Sequence, residues 1–172
     1  LRKDGLFFPV EPSTASRCTI GGMTGNNSCG ARSIRYGKMV DNVLAIEALL
    51  HDGQAIRAGI RGDNDPGITG SQDANDLADR MVRLADRERA EIERVFPKVQ
   101  RRVGGYNLDA LLPAQPNLAS LLVGSEGTLA LTTAVTLKLS RLPTHRVMGV
   151  CHFPSFRSAM ETTRHLVALG PV

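Results

Sequence analysis

The amino-acid sequence predicts an α+β protein, and three observations carry that reading. Asp52-Gly53, a strong hairpin turn signal, separates two apolar runs that contain β-branched residues. A stripe of Leu, Met, Ile and Val at helical spacing follows, and an alternating apolar run closed by proline comes later. The elements alternate irregularly and the hairpin is antiparallel, which argues against a βαβ repeat. No internal repeat is present.

The elements follow in order. Residues 1–17 end in "PVEPSTAS", where Pro9 and Pro12 bias their predecessors away from helix, so this stretch is extended or turning. A glycine-rich run comes next. Val43–Leu50 is the first arm of the hairpin, and Ile56, Ala58 and Ile60 alternate along the second. Residues 61–72, "RGDNDPGITGSQ", are turn chemistry throughout. Leu77, Met81, Leu84, Ile92 and Val95 predict a helix from about Asn75 to Val95, ended by Pro97. "GGYNLDALLPAQP" reads as a loop around a short apolar segment, with a short helix near Leu118–Val123. Leu131, Thr133, Val135, Leu137 and Leu139 fall on one side of a strand that Pro143 closes. The tail reads as a strand, Val147–Phe153, then an N-cap at Ser155 and a helix over Phe156–Leu169. A strand–helix unit of this kind starts a new packing layer, which puts a boundary near Pro143: 1–143 and 144–172.

Length and composition bound the function. The 172 residues suffice for one domain with a real core, or for one domain and part of another. The net charge of +4 is spread along the chain, its densest basic run being "KVQRR" at 98–102. With no Trp, two Tyr and five Phe, there is little aromatic surface on which nucleic-acid bases could stack, so no nucleic-acid partner is expected. Cys18, Cys29 and Cys151 form no CxxC pair and leave one over if two were bridged, which favours a reducing compartment. No apolar run approaches the roughly 18 residues of a membrane-spanning helix, and no basic-then-apolar leader opens the chain. The chain begins on "LRKDGLFFPV" without an initiator Met and stops on "ALGPV", so a piece of a longer protein is the expectation.

The run "CTIGGMTGNNSCG" at 18–30 is the most unusual stretch. As a metal site it fails: Cys18 and Cys29 lie eleven apart and the nearest histidine is His51, so no ligand set has zinc spacing. As a dinucleotide fingerprint it lacks both the GxGxxG order and the preceding strand. The "NNS" sequon and the "RGD" tripeptide at 61–63 are chance matches. What remains is a loop whose backbone comes close to something. Gly21 and Gly22 remove Cβ atoms and let amides point at an anionic or carbonyl-rich ligand. Ser13, Thr14, Ser16, Thr19 and Thr24 offer hydroxyls, and Asn26 and Asn27 offer donors and acceptors. That chemistry suits a ribityl-diphosphate or a flavin edge, while a tight turn into the hairpin accounts for the same glycines. "VGSEGTLAL" at 123–131 is a second glycine constellation. It reads either as a helix C-cap and turn or as a loop whose backbone edge meets a heterocycle, with Ser125 or Glu126 fixing its orientation.

Together the two stretches are specific. "PSTASRCTIGGMTGNNSCGARSIRYGKMVDNVLAIEALLHDGQAI" followed by "LLVGSEGTLALTTAVTLKL" resembles the FAD-linked oxidases of the vanillyl-alcohol-oxidase, or PCMH-type, class. The branch it is most similar to is that of D-lactate, glycolate and D-2-hydroxyglutarate dehydrogenases. "GGYNLDALLP" resembles the longer members that join this flavin module to an iron–sulfur part. The resemblance implies that 1–143 is the second, C-terminal subdomain of the FAD-binding domain, an antiparallel sheet with flanking helices. It implies that 144–172 begins a ferredoxin-like substrate cap.

The same resemblance implies FAD along the first loop, at Thr14, Ser16, Cys18, Ile20, Gly21, Gly22, Asn26 and Gly30, with adenine meeting the backbone of Leu131. Ala130 stands where the family more often has glycine, which is tolerable at negative φ. Arg35 and Tyr36 of "SIRYG" would lie near the flavin, with packing the better reading for Tyr36. The first FAD loop, the substrate arginine and the catalytic residues would lie outside this chain. His51, His145, His152 and His165 match none of the family's histidine motifs.

The implied function is oxidation of a D-2-hydroxy acid by hydride transfer to flavin N5. Electrons would then pass to a downstream acceptor, with an iron–sulfur cluster elsewhere in the parent chain. A homo-oligomer and a cytoplasmic location peripheral to the inner membrane complete the expectation. Two alternatives stay open: the same fold acting on another alcohol or sugar, and a non-catalytic interaction or assembly segment.

Overall fold

The computed structural model describes residues 1–62, 67–99, 101–145 and 147–169. By internal contacts the chain divides into two units, Phe8–Leu139 and the paired segments Leu1–Phe7 and Ser140–Val172. In chain order the elements are β1 (Leu6–Phe7), α1 (Ile20–Gly25), α2 (Ser33–Tyr36), α3 (Met39–Asn42), β2 (Val43–Leu49), β3 (Ala55–Ala58), β4 (Ile68–Thr69), α4 (Gln72–Arg87) and α5 (Arg89–Val95). Two 3₁₀ turns, Leu108–Leu111 and Leu118–Leu121, then lead to β5 (Leu131–Leu137), β6 (Ser140–Arg141) and α6 (Phe156–Ala168). Helices and antiparallel strands together make the chain α+β, as the sequence predicts.

The larger unit is built on a sheet of order β4-β3-β2-β5, every pair antiparallel. Its centre is the predicted hairpin. Gly53 takes φ 84, the Asp52 carboxylate accepts the Gln54 amide at 3.0 Å, and the Leu50 N–H donates to the Gln54 carbonyl at 2.9 Å. Ile46 is fully buried, Ala48, Ile56 and Ala58 nearly so, and α4 brings Ala74, Ala78 and Ala85 into the same core. Small residues on that helix face allow close approach. Burial of a side chain such as Ile46 contributes about 1.5–3 kcal/mol.

Four expectations are corrected by the structure. The long helix begins earlier, at Gln72, and is interrupted at Glu88 (φ −95, ψ 10), so it is two helices. The short helix near 118 is a 3₁₀ turn over Leu118–Leu121. The late strand does not keep one apolar side: Thr133 is an extra residue between the Ala134↔Glu47 and Thr132↔Ala48 pairs. That bulge flips the alternation, so Val135 and Leu137 pack against the core while Leu131 is 66% exposed. Lastly, Val147–Phe153 forms no strand: its described residues carry no ladder, and Val147 is 96% exposed.

The stretch 61–72, expected as turn throughout, lies partly outside the described residues, at 63–66, as does Asp63 of the RGD tripeptide, and its described part instead carries β4 and the first residue of α4. In the smaller unit β1 pairs with β6, and α6 starts where predicted, with the Ser155 hydroxyl accepting the Ser158 amide at 3.2 Å. No helix among the described residues is long and apolar enough to cross a membrane.

Candidate functional site

The first glycine run folds into a single short helix. Thr19, extended at φ −101 and ψ 153, caps α1 by accepting the Gly22 amide on its hydroxyl at 3.1 Å. Met23 and Thr24 are buried and anchor the inner side of the turn, while Ile20, Gly21 and Gly22 are exposed. A Cβ added at Gly21 would meet nothing within 4 Å, and one at Gly22 would meet only the capping hydroxyl at 3.1 Å. As first-turn amides, those of Ile20 and Gly21 have no helical acceptor. The glycine pair therefore presents bare backbone donors to open space.

The two glycine stretches meet through their main chains. The Gly124 amide donates to the Thr24 carbonyl at 2.9 Å, and the Glu126 amide to the Gly25 carbonyl at 3.0 Å. Gly124, at φ 83, lies so close that an added Cβ would come within 3.2 Å of the Asn27 Cβ. Asn27 is fully buried in a left-handed conformation (φ 51), and its side-chain oxygen accepts the Val40 amide at 3.0 Å. Asn27 thus joins the loop after α1 to α3 at the point where the second stretch arrives.

A third stretch, "GGYN" at 104–107, closes the cluster. The Tyr106 and Thr128 hydroxyls hydrogen-bond at 2.9 Å. The Asn107 side-chain amide, buried, donates to the Ser120 and Val123 carbonyls at 3.1 and 2.8 Å. Arg101 reaches back to the first loop, its Nε–H donating to the Cys29 sulfur at 2.8 Å. At the far end of that loop Gly30 is pressed against Glu11, whose carbonyl oxygen would lie 1.9 Å from an added Cβ.

The residues expected to hold a cofactor divide by position. Ile20, Gly21 and Gly22 form the exposed start of α1, and α1 packs against β5, whose first residue is Leu131. Thr14 and Ser16 are exposed in a turn whose Thr14 carbonyl accepts the Arg17 and Cys18 amides at 2.8 and 3.0 Å. Cys18 is half-buried with its sulfur 3.3 Å from that of Met23. Asn26 is an exposed helix C-cap engaged with the Ser28 hydroxyl at 2.6 Å, whereas its neighbour Asn27 is the buried joint. Asn27 and Glu126 are the non-glycine residues at positive φ among those described, so Ala130 has the negative φ that alanine needs.

Sequence reasoning missed Asn27 as the joint, along with Arg101, Tyr106 and Thr128. An asparagine among glycines is a left-handed-turn signal that could have singled out Asn27. Nothing in the sequence marks the other three. His51 is exposed in the hairpin turn, and His145, His152 and His165 are exposed in the smaller unit. Among the described residues no group of three His, Cys, Asp or Glu side chains is placed to hold a metal.

Residues 1–59 match the FAD binding domain family. The chain is 33% identical over 182 residues to a D-2-hydroxyglutarate dehydrogenase of Pseudomonas putida, covering 100% of this chain and 18% of the relative. It is 30% identical over 175 residues to the enzyme of that name from Haemophilus influenzae, covering 97% of this chain and 17% of the relative. A probable mitochondrial D-lactate dehydrogenase of Danio rerio is 31% identical over 171 residues, covering 99% of this chain and 25% of the relative. The chain therefore spans about a fifth of the length of these curated relatives. The local geometry fits the cofactor of the matched family: an open glycine pair with unbonded amides, flanked by exposed hydroxyls, suits a phosphate-bearing dinucleotide.

Proposed function

Starting from a chain that is a relative of FAD-linked D-2-hydroxyglutarate and D-lactate dehydrogenases, we propose that the whole protein oxidises a D-2-hydroxy acid to the 2-oxo acid. In this reading 1–143 is the C-terminal subdomain of the flavin domain and 144–172 opens the substrate cap. FAD would supply the two-electron oxidation of the substrate α-carbon, as hydride transfer to flavin N5, and the base for the hydroxyl proton would lie elsewhere in the protein. This chain binds and orients. The amides of Ile20 and Gly21 and the hydroxyls of Thr14 and Ser16 meet the ribityl-diphosphate, Cys18, Gly22, Asn26 and Gly30 shape that channel, and the Leu131 backbone meets the adenine.

One observation carries the reading. The two glycine stretches lie about a hundred residues apart in sequence, yet they are joined by the Gly124–Thr24 and Glu126–Gly25 backbone bonds into one rim. Main-chain bonds fix the spacing of the rim without placing side chains in the way of a ligand.

The test is the visible spectrum of the whole protein purified without added flavin. A two-banded flavin spectrum, bleached anaerobically by D-lactate or D-2-hydroxyglutarate and left intact by the L enantiomers, is the expected result. A colourless protein that also ignores added FAD defeats the proposal and favours an assembly role.

A further inference from the structure

Between the hairpin, α4 and the 3₁₀ turn Leu118–Leu121 lies a cavity of about 430 Å³. A volume of this order is ordinary for a small-molecule site. Its floor is buried: Ile56 and Ile68 come from the sheet, Leu118 and Leu121 from the 3₁₀ turn. Leu77 and Met81, half-buried on α4, form one wall. Among the described residues no Phe, Tyr or Trp borders the cavity. Leucine, isoleucine and methionine adapt to a flexible aliphatic chain, whereas a flat ring gains most from aromatic neighbours. None of the residues assigned to the flavin lines this cavity.

The charged residues at its mouth are not equivalent. The Asp52 carboxylate is used inside the hairpin turn, accepting the Gln54 backbone amide at 3.0 Å and its side-chain amide at 2.9 Å. Asp73 lies in the first turn of α4, where the helix dipole suits a carboxylate. The hydrogen bond from the Ser71 hydroxyl to Gln54 puts the hairpin turn beside the start of α4, so both carboxylates stand at that end. Arg80 stands further along the same helix, about 10 Å from Asp73 in axial rise. It is exposed, and it forms no hydrogen bond or ion pair among the described residues. Its guanidinium therefore keeps all its donors beside an apolar cavity, away from the two acidic groups. Such a planar fork matches a carboxylate in charge and geometry.

We propose that this cavity binds an unbranched aliphatic carboxylate, with the chain along the leucine floor and the carboxylate on Arg80. The site goes beyond the oxidation reading and does not depend on it.

The experiment is calorimetric titration of the whole protein with hexanoate, octanoate and decanoate, and with octan-1-ol and octan-1-amine. Each added pair of methylenes should tighten binding roughly 10-fold. Octanoate should bind roughly 3- to 10-fold more tightly than octan-1-ol, and octan-1-amine most weakly of the three. Arg80→Met should bring octanoate down to the level of octan-1-ol and keep the dependence on chain length. Leu77→Trp, which puts an indole into the cavity, should abolish binding of every probe. Circular dichroism checks that both variants are folded, and Arg80→Met, a surface change, decides the point if Leu77→Trp is not.

Octanoate that binds no better than octan-1-ol overturns the proposal, as does octanoate binding that Arg80→Met leaves unchanged, since the carboxylate then sits elsewhere. A whole protein that binds none of the probes also overturns it, because its own chain then fills the cavity. Flavin content is measured on the same proteins and should be equal in all of them. A loss of flavin in Arg80→Met would make the cavity part of the cofactor site and defeat the proposal. A whole protein without flavin that still shows the chain-length series breaks the oxidation reading and upholds this one.

Discussion

Helices α4 and α6 start from the same kind of sequence and end in opposite situations. Both are amphipathic, both have serine at the N-cap, and both alternate charged and apolar residues. In the unit of 8–139, α4 buries Ala74, Ala78 and Ala85 in the core formed with the hairpin strands. In the other unit α6 buries no residue, and Phe156, Met160, Leu166 and Val167 are all at least 49% exposed. Periodicity therefore states that a helix has an apolar side, and says nothing of whether that side is covered. Most helical stability in proteins comes from tertiary packing, so the two should respond very differently to loss of an apolar group.

The largest test of that contrast is a pair of truncations. Ile46→Ala, in the core to which α4 contributes, should destabilise this chain by about 2–5 kcal/mol, and Leu166→Ala on α6 should stay within about 0.5 kcal/mol. Urea unfolding monitored by circular dichroism measures both. Equal losses would mean that α6 is packed as firmly as α4.

A finer contrast lies inside the larger unit, between two glycines of one loop. Gly30→Ala places a Cβ 1.9 Å from the Glu11 carbonyl, where backbone must move, so the melting temperature should fall by several degrees. Gly21→Ala meets nothing within 4 Å, so the fold should hold, and alanine even favours the helix. In the whole protein the same change should weaken FAD retention, because the new methyl covers the exposed donors. A Gly21→Ala protein that holds flavin normally removes Gly21 from the cofactor channel.

The smallest effect concerns charge on α5. The Arg94 guanidinium beside Glu91, at 2.5 Å, holds that carboxyl below its ordinary value of 4.5, and Glu91 in turn raises Arg94. A carboxyl whose folded pKa is depressed stabilises the fold above its unfolded pKa. That contribution is lost as pH falls through the folded value. The pair is exposed, so the effect should be slight and screened by salt. Melting curves of Glu91→Gln should lie just below those of the unaltered chain at neutral pH and low salt, and the gap should close in acid or in concentrated salt. A gap that persists in acid would assign the loss to something other than this pair.

Much of the fold was legible because its signals are local. Asp52-Gly53 dictates a turn by the geometry of glycine and the side chain of aspartate, and the hairpin formed around it as read. The break at Glu88 was illegible because every residue there is compatible with helix. The Thr133 bulge was illegible because a bulge is settled by both strands together. Val147–Phe153 carries strand-forming residues without any partner among the described residues, and propensity alone does not hold a strand.

The site shows the same division. Each glycine stretch was visible as composition, and their resemblance to flavin loops followed from order and spacing. Their meeting was not visible, nor was the reach of Arg101 to Cys29, since both depend on tertiary placement. Asn26 and Asn27 looked alike in sequence and proved opposite, one exposed and one buried, because only Asn27 sits where the backbone turns left-handed.

The joint between Thr24, Gly25, Gly124 and Glu126 is made of peptide groups, which every amino acid but proline supplies in full. Such a seam can pass through long stretches of sequence drift while its carbonyls and amides stay in register. Outside Gly124, where positive φ and the nearby Asn27 Cβ oppose any side chain, it also leaves little correlated substitution behind. Statistical methods that infer proximity from paired substitutions should under-report this contact. A physical probe of the two amides, such as their exchange with deuterium, should find both strongly protected.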